Sequence, residues 1–173
     1  MAGQWAGRRL DAAPGTRPTT ERAREALFSI WQSKVEGTRF LDLFCGSGAV
    51  GLEALSRGAA SAVLVDRDAG VLRVTAGNQR RLAADRSATR RIDLPRGLLA
   101  ARGLSEFGLV FADPPYAFED WEALLEAIDA CLSEDGEVAL EHEAAVSLPP
   151  RVKRLTATSR RRYGGSALSF YVR

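Results

Sequence analysis

Asp113-Pro114-Pro115-Tyr116 follows the apolar run Gly108 to Ala112 and combines an acceptor, a stiff turn and an aromatic face. Two consecutive prolines cannot extend a strand, and they restrict the chain on either side, so they fix whatever precedes and follows them. An amine on a purine ring is a poor nucleophile because its lone pair is delocalised into the ring. A carboxylate that accepts its N–H groups, aided by the Pro114 carbonyl, orients that lone pair outward. Tyr116 offers a face for a base taken out of its stack. Asp113, Pro114 and Tyr116 are therefore candidate catalytic residues for substitution at an exocyclic ring amine. The plain structural alternative is a Pro-Pro turn with a capping Asp and a buried Tyr.

A second constellation lies upstream. Gly46-Ser47-Gly48-Ala49-Val50-Gly51 is a G-x-G-x-x-G loop opening a helix, where glycines allow close backbone approach and the helix start presents free N–H groups. Eighteen residues past Gly48 an apolar run ends on Asp66, placed to accept hydrogen bonds from ribose hydroxyls. Loop and acid together suit a nicotinamide enzyme, a flavin enzyme or a methyltransferase. Asp42 discriminates among them: a carboxylate there repels a pyrophosphate but suits the cationic amino group of S-adenosylmethionine. Asp93 is a candidate acceptor for the adenine amine, or else a helix cap. The candidate cofactor set is Asp42, Phe44, Gly46, Ser47, Gly48, Asp66, Arg67, Asp93 and Asp113.

Both constellations need rigid elements behind them. From Arg39 onward short apolar runs alternate with helical patterns, as in a parallel sheet wound with crossover helices. Strands are expected at Arg39 to Phe44, Ser61 to Asp66, about Ala88 to Ile92, Gly108 to Ala112 and Gly136 to Glu141. Two more, Val152 to Thr158 and Ala167 to Val172, flank Gly164-Gly165, a gap short enough for antiparallel pairing. Helices are expected from Thr19 or Thr20 to Gly37, over Ala49 to Arg57, Ala69 to Ala84, about Leu94 to Arg102 and about Phe118 to Leu132. The sum is seven strands and at most six helices, in one domain with helices on both faces. Residues 1–19, rich in Arg, Gly, Pro and Thr, show no period and are expected to form a basic arm or hairpin ahead of the domain over 20–173.

Net charge is only +2, but it is unevenly placed. Ala117 to Pro150 carries ten acids and no Lys or Arg, whereas Arg151 to Arg173 carries seven bases and no acid. The acidic run sits at helical spacing and suits a solvated helix face. Of 24 cationic residues only Lys34 and Lys153 are lysines, and Arg forks onto phosphate and stacks on bases better than Lys does. Arg8, Arg9, Arg17, Arg160, Arg161, Arg162 and Tyr163 are the candidate nucleic-acid contacts, with a solvated strand edge as the alternative for the last cluster. Cys45 and Cys131 lie far apart and His142 is the lone histidine, so no metal site is expected. Without a signal core or a long apolar stretch, no membrane association is expected, and a reducing cytoplasm is the expected compartment.

Trp5-Ala6-Gly7-Arg8-Arg9-Leu10, Arg17-Pro18-Thr19 with Arg24-Glu25-Ala26-Leu27-Phe28, the unbroken stretch Leu41 to Gly58, and the Asp-Pro-Pro-Tyr turn together resemble the bacterial RsmD family. Arg90 to Leu104 matches loosely, and the opening strand usual in the family is expected to be shortened. The resemblance implies a single Rossmann-like class I S-adenosylmethionine-dependent methyltransferase domain with a reversed C-terminal strand. It also implies methylation of the 2-amino group of a guanine in 16S rRNA, presented in a small ribosomal subunit particle, with S-adenosylhomocysteine as product; a monomer is expected. Three other readings stay open on the residues alone: an adenine amine methyltransferase acting on DNA or other RNA, a nicotinamide-dependent oxidoreductase, and a non-catalytic RNA-binding module.

Overall fold

The computed structural model describes residues 1–12 and 21–173; Arg17 and the expected helix caps Thr19 and Thr20 lie outside them. The elements in chain order are α1 (Glu21–Ile30), β1 (Arg39–Leu43), α2 (Ala49–Ser56), β2 (Ser61–Asp66), α3 (Ala69–Leu82), β3 (Ser87–Arg91), α4 (Arg96–Ala100), β4 (Phe107–Ala112), α5 (Trp121–Cys131), β5 (Leu132–Glu143), β6 (Arg151–Val152), β7 (Leu155–Tyr163) and β8 (Ser166–Val172). They form one sheet in the order β3-β2-β1-β4-β5-β8-β7-β6. β1 to β5 pair in parallel, whereas β8 is antiparallel to β5. This is the α/β fold of class I methyltransferases, with the expected reversed C-terminal strand. The order switches direction at β1, so the cleft falls beyond the carboxyl ends of β1 and β4.

Alternation along each central strand builds two cores. Phe40, Leu64, Leu109, Phe111, Leu168 and Phe170 face one side, where α1, α2 and α3 pack through Leu27, Phe28, Leu52, Leu55 and Leu82, joined by Trp31 just past the end of α1. Leu41, Leu43, Val110, Val138, Leu140 and Tyr171 face the other, covered by α4 and α5 through Leu98, Leu124, Leu125 and Ile128. Trp31 sits edge-on to both Phe40 and Phe170, at 6.0 Å in each case, and ties α1 across the sheet. Glu53, buried on α2, accepts from Arg24 of α1 at 2.7 Å and from Arg57 at 2.7 Å, so its charge is paired on both sides.

The sheet has eight strands rather than the expected seven. The additional strand is β6, two residues long, paired to β7 through a turn at Lys153 and Arg154. Lys153 holds φ at 52°, a conformation for which Lys gives no sequence signal. Arg154 anchors that turn by donating to buried Asp129 of α5 at 3.1 Å. β7 runs on to Tyr163, so the arginine cluster belongs to a strand and not to the loop after one.

Residues 1–12 pack against the domain. A 3-10 turn at Gly3–Trp5 meets the end of α2, where the Trp5 N–H donates to Ser56 Oγ at 2.7 Å and that hydroxyl donates to the Ala2 carbonyl at 2.6 Å. Met1, Trp5 and Leu10 lie against the first core. Among the described residues no helix is long and apolar enough to cross a membrane.

Candidate active site

β1 delivers the chain to the cleft at Leu43, and the turn that follows is made by backbone conformations few residues adopt. Phe44 has φ 59° and Gly48 φ 81°. A Cβ on Gly48 would meet Leu64 at 2.7 Å and Thr75 at 2.9 Å, so the first helical turn of α2 closes on the sheet only with glycine there. Two polar side chains on the buried stripe of α3 support the loop from beneath. The Thr75 hydroxyl donates to the Gly46 carbonyl at 2.7 Å, and the Asn78 amide donates to the Ser47 carbonyl at 2.9 Å. The same Asn78 amide donates to the Asp11 carbonyl at 3.0 Å and accepts from the Asp11 N–H at 2.9 Å. Asn78 thus joins the glycine loop to the N-terminal arm, and the next arm residue, Ala12, forms part of the cleft wall.

Asp42 is buried at 1% exposure and accepts from the Gly51 N–H at 2.8 Å. It therefore holds the start of α2 as well as facing the cleft. Burial pushes its carboxyl up to about 7; the Gly51 hydrogen bond opposes this, and the charges of Asp113 and Asp66 add to it. Asp66 bridges the turns on either side, accepting from Gly46 at 3.3 Å and Asp68 at 3.0 Å. Asp68 caps α3 by accepting from Gly70 at 2.6 Å and Val71 at 3.0 Å, and these N–H donors hold its carboxyl below the usual range. Cys45 also lines the cleft, but burial raises its thiol far above neutrality and removes it as a nucleophile.

Asp113 continues the β1–β4 ladder by one bond, its N–H donating to Leu43 at 3.4 Å. Pro115 then closes a turn by accepting from the Phe118 N–H at 2.8 Å. Tyr116 stands at the lip with 52% of its surface exposed, against the expectation of a buried Tyr in a merely structural turn. Phe118 packs edge-on to Phe44, centroids 5.6 Å apart, and so links this turn to the glycine loop.

These parts enclose one cleft of about 490 Å³ whose walls include Asp42, Phe44, Gly46, Ser47, Asp66, Arg67, Asp113 and Tyr116. The two constellations read from the sequence thus share a site. Asp93 does not join them: it is exposed, and its neighbour Leu94 lines the cleft instead. Arg8 and Arg9 are exposed on the arm. Arg160 and Arg162 are exposed but lie on the face opposite Arg161; Arg160 donates to the Ala144 carbonyl at 2.6 Å and Arg162 to that of Gly164 at 3.2 Å. Tyr163 is half-buried against the first core.

Three contributors were not anticipated. Thr75 and Asn78 fall on the same helical stripe as Val71 and Leu82, and polar residues in an apolar stripe were the available signal. Glu141, at the cleft end of β5, is buried at 7% exposure and lines the cleft together with Asp42, Asp66, Asp68 and Asp113.

The family described as conserved hypothetical protein 95 matches residues 1–172. Bacillus subtilis YlbH, named as a candidate rRNA methyltransferase, is 38% identical over 99% of this chain and 96% of its own. The ribosomal RNA small subunit methyltransferase D of Escherichia coli K12 is 37% identical over 86% of this chain and 76% of its own. Among solved structures, the methyltransferase candidate yhhF of Escherichia coli superposes with a TM-score of 0.88 at 32% identity, covering 100% of this chain and 96% of that one. With its glycine loop, its Asp-Pro-Pro-Tyr turn and these relatives in agreement along nearly its whole length, the chain belongs to the conserved hypothetical protein 95 family, the RsmD family of methyltransferases.

Proposed function

We propose that this chain methylates the 2-amino group of a guanine in 16S rRNA, presented in an assembling or assembled small ribosomal subunit, using S-adenosylmethionine. The observation that carries the reading is the meeting, in one cleft, of the glycine loop and the Asp113–Tyr116 turn with an exposed aromatic at its lip. The name of the Escherichia coli relative, an rRNA methyltransferase of the small subunit, supports the substrate class.

The residues present fit the cofactor. Each carboxylate oxygen of Asp66 takes one backbone donor and keeps a further lone pair as acceptor capacity for ribose hydroxyls. Asp42 is a buried acid whose shift shows no cationic contribution among the described residues, and an amino group brought into the cleft supplies one. Phe44, Gly46, Ser47 and Arg67 form the intervening wall. When bound, S-adenosylmethionine supplies an electrophilic methyl group on a sulfonium.

The chain's own contribution is then positioning and charge. Asp113 and the Pro114 carbonyl accept the amine N–H groups and aim the nitrogen lone pair. As the N–C bond forms and the C–S bond breaks, one amine proton leaves, and Asp113 is the acceptor nearest to hand. Tyr116 stacks on the extracted base. Arg8, Arg9 and Arg161 supply phosphate contacts around the cleft, and Arg160 and Arg162 offer further ones from the opposite face of the same strand. Asp93, exposed and away from the wall, has no part in this scheme.

The test is transfer of labelled methyl to methyl-deficient small-subunit particles, followed by digestion to nucleosides. 2-Methylguanosine is expected. Asp113→Ala is expected to abolish turnover while retaining S-adenosylhomocysteine and RNA binding; undiminished methylation by that variant refutes the assignment, and label in adenine of duplex DNA refutes the substrate.

A further inference from the structure

A fifth acid, Glu141, is brought into a cleft already lined by Asp42, Asp66, Asp68 and Asp113. Its place follows from strand register. Ala112 of β4 pairs with Leu140 of β5, so the next residues, Asp113 and Glu141, stand side by side, about 4.8 Å apart along the backbone. The Asp113 N–H still bonds to β1, so the ladder has not yet splayed at that level. Glu141 pairs in turn with Leu168 of β8, and Leu168 with Arg161 of β7. Cross-strand partners share a face, and Leu168 belongs to the first core. Asp113, Glu141 and Arg161 therefore form one row across the cleft end of the sheet: two neighbouring acids, then an exposed cation about 10 Å beyond the second acid.

We infer that Glu141 is the residue that selects guanine, by accepting the ring N1–H while Asp113 accepts the adjacent 2-amino group. This deepens the proposed function and rests on that reading of the cleft. On its Watson–Crick edge guanine presents N1–H and N2–H donors side by side, which two adjacent carboxylates match. Adenine presents one amine flanked by the unprotonated N1, so the second carboxylate would meet a lone pair. A site built to satisfy two donors also penalises a base that leaves one of its buried acceptors unpaired. Arg161, further along the row, is placed for the phosphate of the same or a neighbouring nucleotide, without information about the base. Glu141 belongs to a strand fixed on both edges, so its position does not depend on a loop closing.

The test uses small-subunit particles whose rRNA carries either guanine or 2-aminopurine at the methylated position. 2-Aminopurine keeps the reacting amine but has an acceptor at N1. Wild-type enzyme is expected to prefer guanine in kcat/KM by about 10- to 100-fold. Glu141→Gln, nearly isosteric and able to donate to that acceptor, is expected to lose most of the preference; Glu141→Asp is expected to keep it at reduced rate. Arg161→Ala is expected to lower kcat/KM for both RNAs equally and leave their ratio alone. Calorimetry with S-adenosylhomocysteine is expected to show unaltered binding by each variant, so that a change of ratio reports the base edge and not the fold. An unchanged guanine preference in Glu141→Gln overturns the inference and leaves the methyltransferase reading standing. Wild-type enzyme that methylates neither particle overturns the methyltransferase reading itself.

Discussion

Replacing Asp42 with Asn separates the two tasks of that residue, because the amide oxygen still accepts the Gly51 N–H while the charge is gone. In the unfolded chain the carboxyl titrates near 3.8, whereas burial raises it to about 7 in the fold. Between these values the folded protein binds a proton that the unfolded chain does not, so this group makes stability fall as pH rises from about 4 to about 7 and adds nothing further above that. Each pH unit is worth 1.36 kcal/mol, so the whole window amounts to roughly 4 kcal/mol and the part between pH 5 and 7 to roughly 3 kcal/mol. Asn does not titrate. Thermal unfolding of both proteins at pH 5 and pH 8.5 is expected to show Asp42→Asn gaining on wild type by roughly 6–12 °C between the two conditions, at about 2–4 °C per kcal/mol. The comparison is between differences, so any constant cost of the amide and the titration of groups not coupled to Asp42 cancel. Two Tm curves that run parallel across this range refute the argument. With S-adenosylhomocysteine bound, its ammonium favours the ionised acid, so wild-type affinity is expected to rise with pH up to about 7 and that of Asp42→Asn to stay flat.

Tyr116→Ala is expected to lower kcat/KM for RNA by about 10- to 100-fold, the worth of one base stacked on an aromatic face, while Tyr116→Phe stays near wild type; equal losses in both variants would assign the role to the hydroxyl instead. Gly3→Ala is expected to destabilise the fold by about 2 kcal/mol, read as a lower Tm, since φ is 74° and the added Cβ would meet the Ser56 carbonyl at 2.1 Å. An unchanged Tm would show that the terminal turn is not held as described. Replacing Arg160, Arg161 and Arg162 together with Ala is expected to weaken RNA binding and flatten its salt dependence by up to about three charges, with cofactor affinity unaltered; an unaltered salt slope rules these residues out as phosphate contacts.

The parallel half of the sheet was legible because buried strands such as Arg39–Leu43 and Phe107–Ala112 are short apolar runs bounded by turn residues. Most helix and strand ends shifted by a residue or two, as termini do, but α1 stops at Ile30 rather than Gly37, α5 begins at Trp121 rather than Phe118, and β5 begins at Leu132 rather than Gly136. The antiparallel edge was less legible. β7 is exposed along seven of its nine residues and carries three arginines, so its pairing with β8 is what makes it a strand, and no internal period announces it. β6 depends on a turn at Lys153 whose conformation runs against its residue type. Within the site, the glycine loop, Asp42, Asp66 and Asp113 could be read because each sits next to a local marker. Asn78 offered only its polarity within an apolar stripe, with its partner 31 residues away, and Glu141 offered nothing local because its place is set across a strand register. Asp93, read from its position after a strand, is exposed and lies outside the cleft wall.

The Asn78 clamp makes one amide proton a reporter. The Asp11 N–H exchanges with solvent only when its bond to Asn78 opens, and Asn78 is also the support beneath Ser47. Deuterium uptake at this single peptide therefore reads the integrity of a loop 36 positions further along the chain, without any probe placed in the cleft. By the same linkage, a chimera that grafts the first twelve residues of a relative carries its compatibility with the glycine loop through whatever stands at position 78.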